Sequence, residues 1–350
     1  MNAEEYNSSG IVYYCLGQYE RAIQNYDKAI ELNPNYAEAY ISRGIVYQDL
    51  KQYERAIQDF DKTIQINPNY YQAYNNRGET YQGLKKYSWA IADYDKAIEL
   101  NPNYAKAYNN RGETYSELAR YEQAIQDFNK AIELDPNNYY VAYNNRGKAY
   151  HLYYVFKGKN QAIQDFSKAI QINPSYAEAY YNRGMVYSTL GFKEEEKKLA
   201  IQDFSKAIQI NPNYADAYHS RGNVYDYLGQ KEQSIQDFSK AIQINPNDEY
   251  SYYNRGEAYR ELGQYELALR DFNKVIQLYP NNEFAYTHRG DFYYKLKQYE
   301  RAIQDFSKAI QLNPEASSFY HGRGECYKAL GYNSKAKSDF AKAKELGYNG

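Results

Sequence analysis

Only two cysteines, Cys15 and Cys326, and four histidines, His151, His219, His288 and His321, occur in 350 residues. None is paired at metal-ligand spacing, so neither a zinc site nor a disulfide framework has material to form. No apolar run approaches the roughly 18 residues of a membrane span, and the first residues show neither the basic nor the apolar region of a secretory signal. A cytoplasmic chain is the expectation. Charge of one sign is lacking too: 42 basic and 44 acidic residues leave a net charge of −2. Long-range attraction to nucleic acid or to an anionic membrane is therefore not expected. Glycines recur singly, never as a phosphate-cradling loop, and no catalytic constellation is visible. We expect no enzyme, no cofactor and no metal.

What the chain has in excess is tyrosine, 47 residues, and most of it is in register. In the stretch from Ala105 to Pro136, numbered as a 34-residue frame from Ala105, Tyr108 falls at position 4, Gly112 at 8, Tyr115 at 11, Ala124 at 20, Phe128 at 24, Ala131 at 27 and Pro136 at 32. The glycine returns at Gly10, Gly44, Gly78, Gly112, Gly147, Gly184, Gly222, Gly256, Gly290 and Gly324. The prolines lie 34 apart except for two consecutive gaps of 38. Apolar residues at 4, 8, 11 and at 20, 21, 24, 27, 28 have the spacing of two amphipathic helices. A short turn joins them, and the Asn-Pro at 31 and 32 ends the second.

This frame resembles the tetratricopeptide repeat (TPR), with Tyr for Trp at position 4 and Arg for Leu at position 7. The resemblance implies an all-α fold: one right-handed superhelical α-solenoid over residues 1–350. Its ten helix-turn-helix repeats would be 3–36, 37–70, 71–104, 105–139, 140–176, 177–214, 215–248, 249–282, 283–316 and 317–350. Repeat four gains one linker residue, repeat five gains three around 151–160 and repeat six gains four around 192–199, where Glu194 to Lys198 can lengthen a helix by about a turn. Insertions in consecutive repeats are expected to protrude side by side. Gly at 8 and Ala at 20 predict a close helix approach with the aromatics at 4, 11 and 24 packed around it. Both cysteines are expected to be buried thiols. Lys337 and Lys344, where earlier repeats carry Ile or Leu, read as a polar cap. Repeat one has no comparable cap, which leaves self-association open, and the oligomeric state is not fixed.

Position 7 is Arg and position 23 is Asp in the same nine repeats, including Arg111 with Asp127, Arg183 with Asp203 and Arg255 with Asp271. Repeat one carries Ser9 and Asn25 in their place but keeps Lys28 at position 26. The Asp therefore follows the Arg, and a structural ion pair between the two helices is expected.

In TPR proteins the first helices line a groove, with contacts at positions 2, 5, 6, 9, 12 and 13. Position 6 is Asn at Asn76, Asn110, Asn145, Asn182 and Asn254. That series resembles the asparagine ladder by which the TPR arm of O-linked N-acetylglucosamine transferase holds extended peptides, since a carboxamide pairs with any peptide unit. Aromatic groove residues Tyr181, Tyr250, Tyr253, Phe284 and Tyr294 are anchor candidates, whereas Trp89 reads as an isolated surface residue. The two-carboxylate clamp of chaperone-binding TPRs is not present in any three successive repeats. The resemblance implies a non-catalytic protein interaction scaffold that takes an extended peptide or a partner helix, with a protein or peptide partner and no nucleic acid or membrane. One alternative is the targeting arm of an enzyme on another chain. A helical-repeat RNA binder ranks low, because position 5 holds no consistent code and the groove no basic stripe.

Overall fold

A computed structural model describes residues 1–137, 139–153, 158–189 and 193–348. These residues contain helices and no strands, and the chain divides into two compact units, Met1–Ala179 and Tyr180–Gly350. The first unit holds α1 (Ala3–Cys15), α2 (Tyr19–Leu32), α3 (Ala37–Asp49), α4 (Tyr53–Ile66), α5 (Tyr71–Gly83), α6 (Tyr87–Leu100), α7 (Ala105–Glu117), α8 (Tyr121–Leu134), α9 (Tyr140–Tyr153), α10 (Lys159–Ile172) and the first residues of α11 (Ala177–Thr189). The second holds the remainder of α11, then α12 (Glu194–Ile210), α13 (Ala215–Tyr227), α14 (Lys231–Ile244), α15 (Glu249–Glu261), α16 (Tyr265–Leu278), α17 (Glu283–Lys295), α18 (Tyr299–Leu312), α19 (Ser317–Ala329) and α20 (Asn333–Glu345). Each frame thus yields two helices, and within each unit a first helix packs on its own second helix and on the second helix of the preceding frame.

Local chemistry sets the helix ends. Every second helix but α20 is capped by the residue before proline: Asn67 donates its amide to the Thr63 carbonyl, and its side-chain oxygen accepts the Asn69 amide two residues on. First helices end by a left-handed residue, a conformation that suits glycine. Gly17, Gly229, Gly263 and Gly331 meet that need, but Lys51, Lys85, Ala119 and Lys297 adopt it as well, with φ between 55° and 59°.

Inside a repeat the close approach differs in one respect from the expected Gly-on-Ala contact. Gly112 lies under the ring of Phe128, and a Cβ there would come within 2.7 Å of Phe128 Cε1. The missing side chain lets the position-24 ring sit on the first-helix backbone, with Ala124 fully buried beside it. Tyrosines at position 11 pack beside this core as expected, Tyr115 on Ala124 and Phe128 and the buried Tyr81 with Ala90 and Tyr94, and those at positions 4 and 11 also reach the arginine at 7. Tyr40 and Tyr47 are half-buried and flank Arg43, whose guanidinium carbon lies 5.6 and 5.8 Å from their ring centres.

Between repeats the core is built from positions 3 and 10, which the spacing analysis passed over. Ala142 at position 3 clusters with Ala131 and Ile132 of the preceding second helix. Ala149 at position 10 clusters with Ala124 and Phe128. Cys326 occupies position 10 and is buried as expected, whereas Cys15 is exposed. The physical reason is register: Cys15 stands at position 13, off the inter-repeat seam.

The extra residues of repeat six lengthen α12 to 17 residues, against 14 for the second helices α2, α4 and α14. They do not simply protrude. Lys197 is buried, its ammonium donating to the Ser188 carbonyl and lying 4.9 Å from the Tyr227 ring centre. The remaining inserted positions 154–157 and 190–192, the linker residue 138, and residues 349–350 at the expected close of repeat ten lie outside the described residues.

Candidate functional site

Within each unit, two helices of one repeat and one of the preceding repeat converge on a position-7 arginine such as Arg111. Arg111 Nε and Nη2 donate to the two carboxylate oxygens of Asp127 at 2.8 and 2.7 Å, while Nη1 reaches Asp95 of the preceding second helix at 2.5 Å. The same two-pronged bond joins Arg183 to Asp203 and Arg255 to Asp271, and it occurs in all nine repeats that carry the pair. Burial works against the Arg111 charge, but Asp127 and Asp95 outweigh it and hold the guanidinium firmly protonated. The third contact goes to position 25, which is Asp27, Asp61 and Asp95 early in the chain and Asn129, Ser205, Ser239, Asn273 and Ser307 later. Lys130 at position 26 bonds Glu133 instead. The arginine is thus an inter-repeat clasp.

The asparagines of the first unit are placed differently from the peptide-holding ladder expected of them. Asn76, Asn110 and Asn145 are 8, 7 and 8% exposed. Asn110 Nδ2 donates to Asn75 Oδ1 at 3.0 Å and to Glu79 Oε1 at 2.5 Å. Asn145 Nδ2 donates to Asn109 Oδ1 at 3.1 Å and to Glu113 Oε1. An amide nitrogen has two hydrogens, so both donors of each residue are committed to the neighbouring repeat. The ladder joins repeat to repeat, with position 5 and position 9 as its acceptors.

Around this ladder the first-helix face of the first unit is recessed. Three hollows of about 470, 470 and 510 Å³ share Glu113 in their linings. Glu79, Gln82 and Glu117 border the first, Lys148, Leu152 and Glu178 the second, and Tyr104, Lys106 and Tyr139 the third. Burial pushes the Glu113 carboxyl above its ordinary range, opposed by the Asn109 and Asn145 amides and by Lys148. Glu178 is also partly buried, but Lys148, the Tyr176 hydroxyl and the Asn144 amide hold it below that range. Glu79 takes a 2.8 Å ion pair from Lys106. None of the glutamates at these hollows was singled out as a candidate from sequence; the signal was there in Glu79 and Glu113 at position 9 of adjacent repeats.

In the second unit the aromatic candidates separate into two groups. Tyr250 and Phe284, at position 2 of successive repeats, are 65 and 56% exposed. Tyr181, by contrast, packs on Phe204 and Tyr214. Tyr294 packs on Tyr299. Tyr253 bonds His288 Nε2 at 2.6 Å, and His288 Nδ1 lies 3.3 Å from Glu257. Asn254 donates to Asn223 at 2.8 Å, and Asn182 is half-buried. Trp89 in the first unit is exposed yet not isolated, since Tyr81 meets it edge-on at 5.2 Å and Lys86 lies over its ring. Among the described residues no group of side chains could hold a metal ion, and no helix is long and apolar enough to cross a membrane.

A search of curated proteins gives no match. Among solved structures the chain is similar to the MamA protein (29% identity over 50% of this chain and 92% of that one, TM-score 0.42). It is also similar to YrrB, described as a TPR protein with an unusual peptide-binding site (26% identity, 55% and 95%, TM-score 0.42), and to yeast Tom70 (15% identity, 98% and 85%, TM-score 0.45). Tetratricopeptide repeat profiles match residues 37–70, 71–104, 105–138, 215–248, 249–282, 284–315 and 317–346, and TPR repeat profiles match 10–51, 158–191 and 192–229. The chain belongs to the tetratricopeptide repeat family.

Proposed function

We propose that this repeat protein is a non-catalytic interaction scaffold and that the first-helix face of its first unit receives an extended peptide or a partner helix. The observation that carries the reading is the convergence of three hollows on Glu113. A groove of this kind holds side chains in successive recesses while a rigid scaffold fixes their spacing. Glu79, Glu113, Glu117, Asp135 and Glu178 outnumber Lys85, Lys106 and Lys148 around it, which favours a peptide with basic side chains. Peptide specificity would then rest on the glutamates and the recess walls, with Asn110 and Asn145 holding the walls in place. Tyr250 and Phe284 offer a second, aromatic contact surface on the other unit.

The test is selection from a random peptide library on the purified chain, followed by affinity measurement with wild type, Glu117→Lys and Trp89→Ala. Glu117 is exposed at the rim of two hollows, so its reversal is expected to weaken selected peptides about tenfold, with Trp89→Ala unchanged. Peptides that bind all three proteins alike would refute the placement.

A further inference from the structure

We infer that this chain associates with copies of itself head to tail, the second-helix face of α20 in one copy docking on the α1 face of the next. The internal repeat junctions supply the template. Position 10 packs on positions 20 and 24 of the preceding second helix: Val46 on Ala22 and Tyr26, Val224 on Ala200 and Phe204, Cys326 on Ala302 and Phe306. The Leu at position 14, as Leu50 and Leu228, joins the same clusters. Position 3 packs with positions 27 and 28, as Ala142 does with Ala131 and Ile132.

On α1 these seam positions have no cover. Val12 at position 10 is 58% exposed and Leu16 at position 14 is 64% exposed, where the equivalent Val46 is fully buried. On α20 the matching face presents the half-buried Phe340 at position 24, flanked by the exposed Lys337 at 21 and Lys344 at 28, while the small Ala336 at 20 and Ala343 at 27 already lie buried beneath it. Position 3 of repeat one is not Ala but Glu5, which is exposed while one carboxylate oxygen accepts the Asn2 amide in the α1 capping box and lies 3.8 Å from the Met1 ammonium. If one copy's α20 takes the place that a preceding second helix holds internally, Val12 and Leu16 fall against Ala336 and Phe340. The same placement sets Glu5 opposite Lys344. Internal junctions pair an apolar residue at position 28 with an apolar one at position 3, save Ser251 after Ile242, and none places charges there; these two faces replace that pair with opposite charges. The arginine clasp is absent from both sides as well, because position 7 is Ser9 and position 25 is Ala341, so no unpaired guanidinium is trapped. This contact joins two different surfaces, so it is heterologous and does not stop at a dimer unless the arrangement closes. It is separate from the recesses around Glu113.

Sedimentation velocity on the full chain across a concentration series tests this, with Glu5→Lys, Lys344→Glu and an equimolar mixture of the two variants. Wild type is expected to grow in mass with concentration, and each variant to associate about tenfold more weakly or worse, since like charges then face each other. In the mixture every junction again pairs opposite charges, so association returns. That recovery separates a broken contact from a frayed α1, which mixing cannot repair. A wild type that stays monomeric, a mixture that stays dissociated, or a dimer indifferent to Lys344→Glu would each overturn the inference.

Discussion

Arg111 grips Asp127 through two nearly equal hydrogen bonds and spends its third nitrogen on Asp95 of the preceding repeat. One guanidinium therefore closes a repeat and fastens it to its neighbour. Removing it leaves Asp127, whose side chain is 9% exposed, without a counter-charge. Arg111→Met is expected to cost about 3 kcal/mol, the low end for breaking a buried pair because Arg111 itself keeps some contact with solvent. Asp95→Asn should cost under about 1 kcal/mol, since Asn129 fills that role for Arg146. Denaturation midpoints of the two variants check the order, and equal losses would contradict it.

Glu113 supplies a pH signature. Its carboxyl is raised by burial, so the folded state holds the proton more readily than the unfolded chain does. The stability this lends is present below the unfolded value of about 4.3 and is lost as pH rises through the folded one. Glu113→Gln keeps an oxygen to accept from Asn109 and Asn145 and cannot ionise. Thermal melts of both proteins from pH 4 to 7 are expected to show the variant gaining on wild type as pH rises. A variant that loses ground toward pH 7 would show that the ionised carboxylate is the favoured form.

Ala119 tests the turn. It holds φ at 55°, a region that disfavours a Cβ by about 1–2 kcal/mol, and its side chain is exposed. Ala119→Gly relieves that cost and returns part of it as unfolded-chain entropy, so a net gain of about 0.5 kcal/mol is expected. Gly229→Ala, at the same position with φ 73°, should lose about 1 kcal/mol. The two signs must be opposite for the left-handed backbone to be the cause.

The sequence carries the fold because each level of it repeats: the glycine under Phe128, the Asn-Pro stop after Ile66 and the Arg111–Asp127 pair all recur at fixed spacing, and co-occurrence names the partners. Positions 3 and 10 escaped because a helix read alone shows only one apolar stripe. Ala142 and Ala149 are small, and their burial depends on a neighbouring repeat that periodicity within one repeat does not contain. The candidate site was less legible for a related reason. Asn110 faces the groove by position, but whether its amide is free depends on Asn75 and Glu79 one repeat away. Charge at the recesses likewise comes from glutamates whose clustering is a property of stacked helices.

Repeat one offers a place to extend the asparagine ladder. Asn7, at position 5, is buried, and its Oδ1 has no hydrogen-bond donor, whereas Asn75 and Asn109 at the same position accept from Asn110 and Asn145 of the following repeats. The residue that would supply the donor is Ser42, at position 6 of repeat two, whose side chain is too short to play the part of an asparagine. Ser42→Asn places a carboxamide one repeat along from the orphaned oxygen. An unmet buried acceptor costs about 1–3 kcal/mol and a completed bond contributes about 1, so the variant is expected to stabilise the junction of α1 with α3 by about 1 kcal/mol. Hydrogen exchange at the α1 amides reads this locally: slower exchange in Ser42→Asn supports the ladder, and unchanged or faster exchange means that Asn7 is oriented away from α3 and its oxygen is satisfied by other means.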